Sequence, residues 1–447
     1  MDEALIRRHA LPVPRYTSYP TANHFSAQVG VSKYRQWLDA LSPAAKLSLY
    51  VHIPFCRELC WYCGCSTKAT HRHRPITDYL GSLEAEIAAV AAALPGRPRI
   101  THQHWGGGSP NILQAEDILR LGAALRERFT IAVGAEFAVE IDPRLLARDQ
   151  VESFAAIGVN RVSLGVQDFD MAVQRAIGRM QSYDETRLAV ELFRGSGVDS
   201  INIDLVYGLP HQTEASVVRT MEQVLTLSPD RIAIFGYAHL PSRLKHQRLI
   251  DEKALPGPLQ RFAQSQRLAE TLIAAGYRQI GIDHFARADD RLAQEPLARN
   301  FQGYTTDAAD ALLGLGASSI SRLPQGYAQN VVSSEDYARH VAADGLATAR
   351  GWALSEDDRV RADAIERLMC DFDFSAQALR RRFGPAADPV IAEADAIVAE
   401  DVDGLVEATS DGFRVTPRGR PFVRNICAKF DAYLPRQIEQ RRHALAI

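Results

Sequence analysis

Three cysteines, Cys56, Cys60 and Cys63, stand at Cys-x-x-x-Cys-x-x-Cys spacing within His52-Ile-Pro-Phe-Cys56-Arg-Glu-Leu-Cys60-Trp-Tyr-Cys63-Gly-Cys65. They follow directly on an apolar stretch with strand character. Three thiolates on one short loop can hold three corners of a cubic [4Fe–4S] cluster, whereas four would close every iron. The remaining iron then keeps an open position for a small molecule. Phe55, Trp61 and Tyr62 beside the thiols can exclude water, and burial tunes a cluster's potential. Close-set cysteines also suit zinc, but zinc commonly draws on two distant ligand pairs. Here the distant cysteines, Cys370 and Cys427, are solitary, so His71 and His73 would have to complete a zinc site. Six cysteines in 447 residues do not make a secreted disulfide scaffold.

The elements that must position this loop alternate in type. Leu47, Leu49, Val51 and Ile53 interleave with Ser48, Tyr50 and His52, a period-two strand that ends at the cysteines. Ile76, Leu80, Leu83, Ile87 and Leu94 recur at helical spacing. Further strands are expected at about 101–105, 137–142, 161–167, 201–207 and 231–237, with helices between them that stop at Gly158, Gly197 and Gly276. Such alternation predicts parallel strands with helices outside. A parallel sheet covered on both faces should be apolar on both. These strands instead share a polar parity: Glu136, Glu140 and Asp142, then Ser163, Gly165 and Gln167, then Asn202 and Asp204. That pattern points into a barrel lumen near the C-terminal strand ends, where such barrels keep their active sites. A solvated face would also be polar, but suits an antiparallel edge sheet better. Tyr50 faces the lumen by the same parity.

Roles follow from residue type. Gly106-Gly107-Gly108 lets backbone approach a ligand closely, offering N–H and C=O groups to the amino group and carboxylate of a bound methionine, although plain turns use such runs too. Glu140 and Asp204 suit ribose hydroxyls or an ammonium. Gln167 and Arg179 suit a carboxylate, Arg179 through a two-pronged fork. From its local sequence alone, Arg179 reads as an exposed helix charge.

The flanks add less. Pro14-Arg15-Tyr16-Thr17-Ser18-Tyr19-Pro20-Thr21 reads as an extended strap. It either only packs, or crosses the mouth of the site where Arg15 can meet an anion. Beyond Pro256 come a helix, a strand at 277–282 and a loop from Arg299 to Thr306, a candidate substrate contact. From about residue 340 helices dominate, with a hairpin turning at Asp411-Gly412. This winged-helix-like module is read as a substrate lid, since a net charge of −3 gives no reason to expect nucleic acid. His71-Arg72-His73-Arg74 is either a solvated run or a dock for an acidic electron donor. With 46% apolar and 23% charged residues the composition is that of an ordinary soluble protein. The longest apolar run, Ile87 to Leu94, is too short to span a bilayer, and the N-terminus lacks a signal peptide's apolar core. A cytoplasmic monomer without a membrane partner is expected.

Taken together, the motifs resemble the oxygen-independent coproporphyrinogen III oxidases (dehydrogenases), a radical S-adenosylmethionine (SAM) family of bacterial haem synthesis. The carrying motifs are Pro14-Arg15-Tyr16-Thr17-Ser18-Tyr19-Pro20, Tyr50-Val-His-Ile-Pro-Phe-Cys56 with Cys60 and Cys63-Gly-Cys65, Gly165-Val-Gln167-Asp-Phe, and Asn202-Ile-Asp204-Leu-Val-Tyr-Gly-Leu-Pro210. Tyr237-Ala238-His239-Leu-Pro241, Arg299-Asn300, Gln302-Gly-Tyr-Thr-Thr306 and Arg424-Asn425-Ile426-Cys427 continue them. The resemblance implies an α/β fold: a partial (β/α)6 TIM-like radical SAM barrel over 46–335, an N-terminal strap over 1–45, and a mainly helical, winged-helix-like C-terminal domain over 336–447. It implies Cys56, Cys60 and Cys63 as cluster ligands, with Cys65 matching a family cysteine that is not a ligand. Two SAM molecules are implied. The first would contact Tyr50, Tyr62, Gly107, Gly108, Ser109, Glu140, Gln167, Arg179 and Asp204; contacts of the second would include Ala238 and Ile320. Ser109 stands for a usual threonine and keeps a hydroxyl. Gly178 stands for a common asparagine and is expected to loosen the helix end before Arg179.

The implied reaction is the oxidative decarboxylation of the ring A and B propionates of coproporphyrinogen III to vinyl groups, giving protoporphyrinogen IX. It is initiated by a 5′-deoxyadenosyl radical from SAM, with electrons from a reduced flavodoxin or ferredoxin-like donor. Arginines should meet the four substrate carboxylates, and Arg15 and Arg299 are the candidates. Two alternatives share the superfamily. A haem chaperone is one, although such relatives lack the strap and the cysteine matching Cys65. Another radical SAM enzyme, such as a methyltransferase or a haem-degrading relative, is the other.

Overall fold

Strand β1 (Lys46–Ile53) lies inside a 12-stranded sheet in the computed structural model, which describes residues 2–434. Five strands follow on one side, each parallel to the last: β2 (Arg99–Gly107), β3 (Thr130–Ile141), β4 (Arg161–Gln167), β5 (Ser200–Tyr207) and β6 (Arg231–Gly236). Helices α1 (Arg74–Ala93), α2 (Ala115–Arg128), α3 (Arg148–Ala156), α4 (Tyr183–Gly195), α5 (Glu214–Thr226) and α6 (Pro258–Ala274) alternate with them. The chain is therefore a partial (β/α)6 barrel. On the other side of β1, β7 (Ala311–Leu315) pairs parallel with it. Strands β8 (Ile320–Leu323), β9 (Gly326–Asn330) and β10 (Thr348–Ala353) continue antiparallel, so the sheet runs past residue 335. The strand expected at 277–282 is a three-residue edge strand, Arg278–Ile280, reached through the antiparallel pair His284–Ala286.

The alternation read in the sequence explains the layers. Val162, Leu164 and Val166 of β4, and Ile201, Ile203 and Leu205 of β5, are buried in one core beneath the helices. At α4 a capping box closes the N-terminus, with Ser182 Oγ accepting from Glu185 N (3.2 Å) and Glu185 Oε2 from Ser182 N (2.7 Å).

A second core gathers α7 (Glu356–Asp371), α8 (Val423–Lys429) and a three-stranded sheet of Asp373–Ser375, Gly412–Val415 and Val406–Thr409. The hairpin turns at Ser410-Asp411, one residue earlier than expected. Gly412 instead opens the return strand, because a Cβ there would lie 2.3 Å from Phe374 O. The strap belongs to this second core: Leu5, Ile6, Tyr16 and Tyr19 are buried in it. Arg424 Nε donates to Pro14 O (2.9 Å), and Arg15 donates to Gly236 O at the end of β6 (2.9 Å). The strap thus runs from the C-terminal module to the barrel rim. Residues 435–447 of the expected C-terminal domain lie outside the described residues. Among the described residues no helix is long and apolar enough to cross a membrane.

Candidate functional site

The cysteine loop leaves β1 and is closed by a short parallel ladder, Phe55–Cys56 against Lys68–Ala69. The glycine run of β2 braces its start: Gly108 N donates to Ile53 O (2.9 Å) and Ser109 N to Phe55 O (2.8 Å). Cys56 Sγ lies 3.3 Å from Thr67 Oγ1 and 3.7 Å from Ser109 Oγ. Cys60 is buried, and Arg179 and Arg144 donate to its sulfur at 3.5 and 3.9 Å. The Cys65 thiol and amide, then His246 and Arg179, bring the Cys63 thiol down to about 7 against the effect of burial. These neighbours favour the Cys63 thiolate, the form that binds iron, whereas burial pushes the Cys56 thiol up. Among the described residues no three of His, Cys, Asp and Glu converge on a single ion. A cubane instead spreads its thiolates over separate irons, so three soft donors on one loop, faced by two guanidiniums, fit a [4Fe–4S] cluster.

Arg179 is not the exposed helix charge its local sequence suggests: it is 6% exposed. Its guanidinium donates to both oxygens of Asp142 (3.2 Å each), to Gly165 O (2.5 Å) and to Gln181 Oε1 (3.0 Å). The fork is thus spent on Asp142, while Nε is buried without a partner. Asp142 also takes Arg144 Nε (3.0 Å) and a second Arg144 nitrogen (2.6 Å). Burial opposes its charge, but Arg179 and Arg144 hold its carboxyl down to about 2. Gly178 does not loosen the helix end. It sits at φ +63 just past the short helix Met171–Ala176, and a Cβ there would meet Trp61 Nε1 at 2.7 Å. Trp61 N in turn donates to Ile177 O (2.9 Å), so the glycine fastens the cysteine loop to the segment carrying Arg179.

Glu140 stands in the lumen. His104 donates to one oxygen (3.0 Å) and Gly107 N to the other (3.1 Å). Burial works against its charge, yet these two partners keep its carboxyl below the ordinary value. A Cβ on Gly106 would lie 2.5 Å from that carboxylate. The N–H groups of Gly107, Gly108 and Ser109 are all engaged within the protein, so the glycines serve close packing of β2 against Glu140 and the cysteine loop. Tyr50 stacks on His104 at 5.8 Å and hydrogen-bonds His52 Nδ1 at 2.9 Å. Asp204 accepts from Ser163 Oγ (2.6 Å) and Asn202 Nδ2 (2.7 Å), and burial pushes its carboxyl up. Gln167 ends β4 at φ +71, an uncommon conformation for a residue with a Cβ. Gly165 leaves the space that Gln167 and Arg179 fill, since a Cβ there would lie 3.0 and 3.5 Å from their nitrogens.

Other candidates lie further out. Tyr62 packs with Val173, Ile177 and Tyr237. Ala238, just after β6, accepts from Gln247 at its carbonyl (3.1 Å), and Ile320 opens β8 on the opposite flank of the sheet. Arg299 is buried on a small hairpin, Ala298–Asn300 with Gly303–Thr305, where a loop was expected. Of the basic run, His73 pairs with Asp117 (2.8 Å) and Arg74 with Asp78 (3.7 Å), while His71 and Arg72 are exposed. Sequence reasoning missed His104, Arg144 and the bracing role of Asp142. The signal was there: Asp142-Pro-Arg144 stands at the end of a strand and His104 shares the lumen parity of β2.

Residues 50–224 match the radical SAM superfamily, and residues 354–422 match the HemN C-terminal domain. The chain is 48% identical over 426 residues to the oxygen-independent coproporphyrinogen III oxidase of Bradyrhizobium diazoefficiens, covering 94% of this chain and 95% of that one. It is 41% identical over 451 residues to the protein of that name from Escherichia coli, covering 100% of this chain and 98% of that one. Among solved structures, the E. coli coproporphyrinogen III oxidase (HemN), described as a radical SAM enzyme, matches with a TM-score of 0.91 at 41% identity, over 97% of this chain and 99% of that one.

Proposed function

Because the chain belongs to the oxygen-independent coproporphyrinogen III oxidases of the radical SAM superfamily, we propose that it converts two propionate side chains of coproporphyrinogen III to vinyl groups, giving protoporphyrinogen IX in haem synthesis. The observation that carries this reading is the buried Cys60 held against two guanidiniums that Asp142 aligns, at the mouth of a lumen lined by Glu140 and Asp204. Cys56, Cys60 and Cys63 would hold the cluster. When bound, the cluster and SAM would supply the one-electron chemistry by which each propionate loses a β-hydrogen atom and carbon dioxide, the remaining electron passing to an external acceptor.

The chain's own residues position and shield. Glu140, fixed by His104 and Gly107, presents a permanent negative charge to a ligand ammonium. Asp204, fixed by Ser163 and Asn202, offers acceptors to ribose hydroxyls. Gln167 and the unpartnered Nε of Arg179 are the donors left for a carboxylate. Tyr50, Tyr62, Gly107, Gly108 and Ser109 complete the first SAM contact set. A second SAM would lie by Ala238 and Ile320; equilibrium dialysis should then saturate at two SAM per chain. Arg15 and Arg299 would receive substrate carboxylates. A flavodoxin or ferredoxin-like donor would approach the exposed side of the cysteine loop near His71 and Arg72.

The test is anaerobic turnover. The reconstituted protein, given reductant, SAM and coproporphyrinogen III, should form protoporphyrinogen IX and 5′-deoxyadenosine, and Cys60→Ala should form neither. Deoxyadenosine without the decarboxylated product would move the substrate elsewhere in the superfamily. Neither product, with tight haem binding, would favour a haem chaperone.

A further inference from the structure

Buried charges in proteins are paired, because an isolated one forfeits its hydration. One cavity breaks this rule. It lies between the ends of β5 and β6, helix α6, the strap and the turn before α8, and encloses about 260 Å³. Arg15, Arg261, Arg299, Arg420 and Arg424 line it, against Asp283 and Glu270. Glu270 is turned to Arg267 (3.0 Å) and Asp283 to His284 (2.8 Å).

Two of the arginines are deeply buried and lack a direct ion pair among the described residues, although Asp283 lies near enough to favour the charge of Arg299. Arg261 is 9% exposed and Arg299 8%, and a terminal nitrogen of Arg299 donates only to Arg15 O (3.3 Å). Nε of Arg261, and both Nε and one terminal nitrogen of Arg299, are buried with no hydrogen-bond partner. What faces them is aromatic: Arg261 lies 5.8 Å from the Tyr207 ring centre and Arg299 4.4 Å from that of Tyr304. Arg424, which donates to Pro14 O (2.9 Å) and to Val13 O, is lowered to about 10 by burial and then by the neighbouring Arg15. Such a set of donors in a part-desolvated space is complementary to carboxylates.

The cavity is too small for a whole macrocycle, since pockets that enclose a ligand run to about 300–1,000 Å³. It can take carboxylate arms. It also adjoins the lumen: Phe235 lines both, and Asn300, next to Arg299, lines the lumen. A ligand can therefore have one edge in the lumen and another among the arginines.

We propose, building on the functional reading above, that Arg15, Arg261, Arg299 and Arg424 form a cage for the two propionates the enzyme leaves unconverted, and so determine which side chains reach the lumen. Four carboxylates then divide into two that are anchored and two that react. The anchored pair survives the first decarboxylation, so the intermediate keeps its grip on the protein.

The test uses coproporphyrin III, the stable oxidised tetracarboxylate, titrated into the reconstituted full-length protein and followed by fluorescence quenching. Arg261→Gln and Arg299→Gln should each weaken binding by about tenfold or more, as expected for loss of a charge-assisted hydrogen bond. In turnover, KM for coproporphyrinogen III should rise by a similar factor, and Arg261→Lys or Arg299→Lys should recover part of the loss. The tetramethyl ester should not compete. Arg15 is exposed, so Arg15→Gln gives a variant without a buried perturbation, and it should weaken binding in the same direction. Unchanged binding in the glutamine variants of a wild type that forms protoporphyrinogen would overturn the cage and leave the function standing. A wild type that neither binds coproporphyrin nor converts coproporphyrinogen would overturn the functional reading, and the cage with it.

Discussion

Asp142→Ala tests the electrostatics around Cys60 most directly. The carboxylate lies between Arg179 and Arg144, whose side chains are 7% and 12% exposed. Its backbone stays pinned without the side chain, because Asn111 donates to Asp142 O (2.8 Å) and accepts from Asp142 N (3.0 Å). The substitution therefore removes charge more than it rearranges chain. Two routes give its magnitude. A carboxyl moved from its ordinary 3.8 to about 2 stabilises the fold at neutral pH by roughly 2.5 kcal/mol, at about 1.4 kcal/mol per pH unit. Removing one partner of a buried ion pair costs about 3–5 kcal/mol, since the stranded guanidiniums lose their counter-ion too. The expected loss is thus about 2.5–5 kcal/mol, read from anaerobic urea melts of the wild type and Asp142→Ala. Its pH dependence has a definite sign. A depressed carboxyl contributes fully above pH 3.8 and loses the contribution as pH falls towards 2, so the gap between wild type and variant should be flat near neutrality and narrow in acid. In an Arg179→Met background the cost of Asp142→Ala should fall by about 2 kcal/mol or more. A loss below about 1 kcal/mol, or full additivity with Arg179→Met, would refute the claim that this carboxylate holds the two arginines at Cys60.

Three further outcomes can be checked. Glu86 of α1 accepts from Gly316 N (2.6 Å), Tyr337 OH (2.8 Å) and Asn330 Nδ2 (2.6 Å), but burial pushes its carboxyl up to about 7. Its raised pKa favours folding most below pH 4.5 and loses that contribution as pH rises through about 7; the stability of the wild type relative to Glu86→Gln should therefore fall by roughly 3 kcal/mol between pH 4.5 and 8, measured by urea melts. Gly178→Ala would drive a methyl into Trp61 and strain a left-handed position, costing about 1–3 kcal/mol and shifting tryptophan fluorescence. Gly106→Ala would evict the Glu140 carboxylate, weakening SAM by about tenfold in equilibrium dialysis if that charge meets the ligand's ammonium.

The sequence shows what is local or periodic and hides what depends on distant partners. The cysteine spacing, the β/α alternation and the polar parity of β3, β4 and β5 are short-range patterns, and each element lies where its pattern places it. Arg179 failed as a local reading because its burial is decided by Asp142, 37 positions earlier, and by Gly165 and Gln181. Gly178 failed for the same reason: its meaning depends on Trp61, which arrives from another loop. The arginine cavity draws on the strap, α6, the small hairpin and α8, and no window of sequence shows four arginines converging. The strap's partners were equally hidden, since its tyrosines are buried in a core built from the far end of the chain.

The same distinction divides the lumen. Shared parity puts Glu136 and Glu140 on one face of β3, and the sequence offers no reason to separate them. The structure separates them by depth. Glu136 accepts from Arg161 Nε (2.9 Å) and lies 3.6 Å from Arg231, which is itself held by Asp290 (2.9 Å). Burial opposes its charge, but these arginines bring it to about 2. His102 pairs in turn with Asp307 (3.1 Å), which also accepts from Ser48 Oγ. Arg161 and Arg231 open their strands, so this network closes the barrel at the N-terminal ends, where Glu136, Arg161, Arg231, Asp290 and Asp307 are all paired. Towards the C-terminal ends the matching is incomplete: among the described residues Arg179 keeps an orphan Nε, Glu140 faces a histidine and a backbone amide, and Arg261 and Arg299 make no ion pair. An unmatched buried charge costs stability unless a ligand supplies the missing half. The imbalance, more than the polarity, therefore marks the end at which we propose that the substrate and cofactor bind.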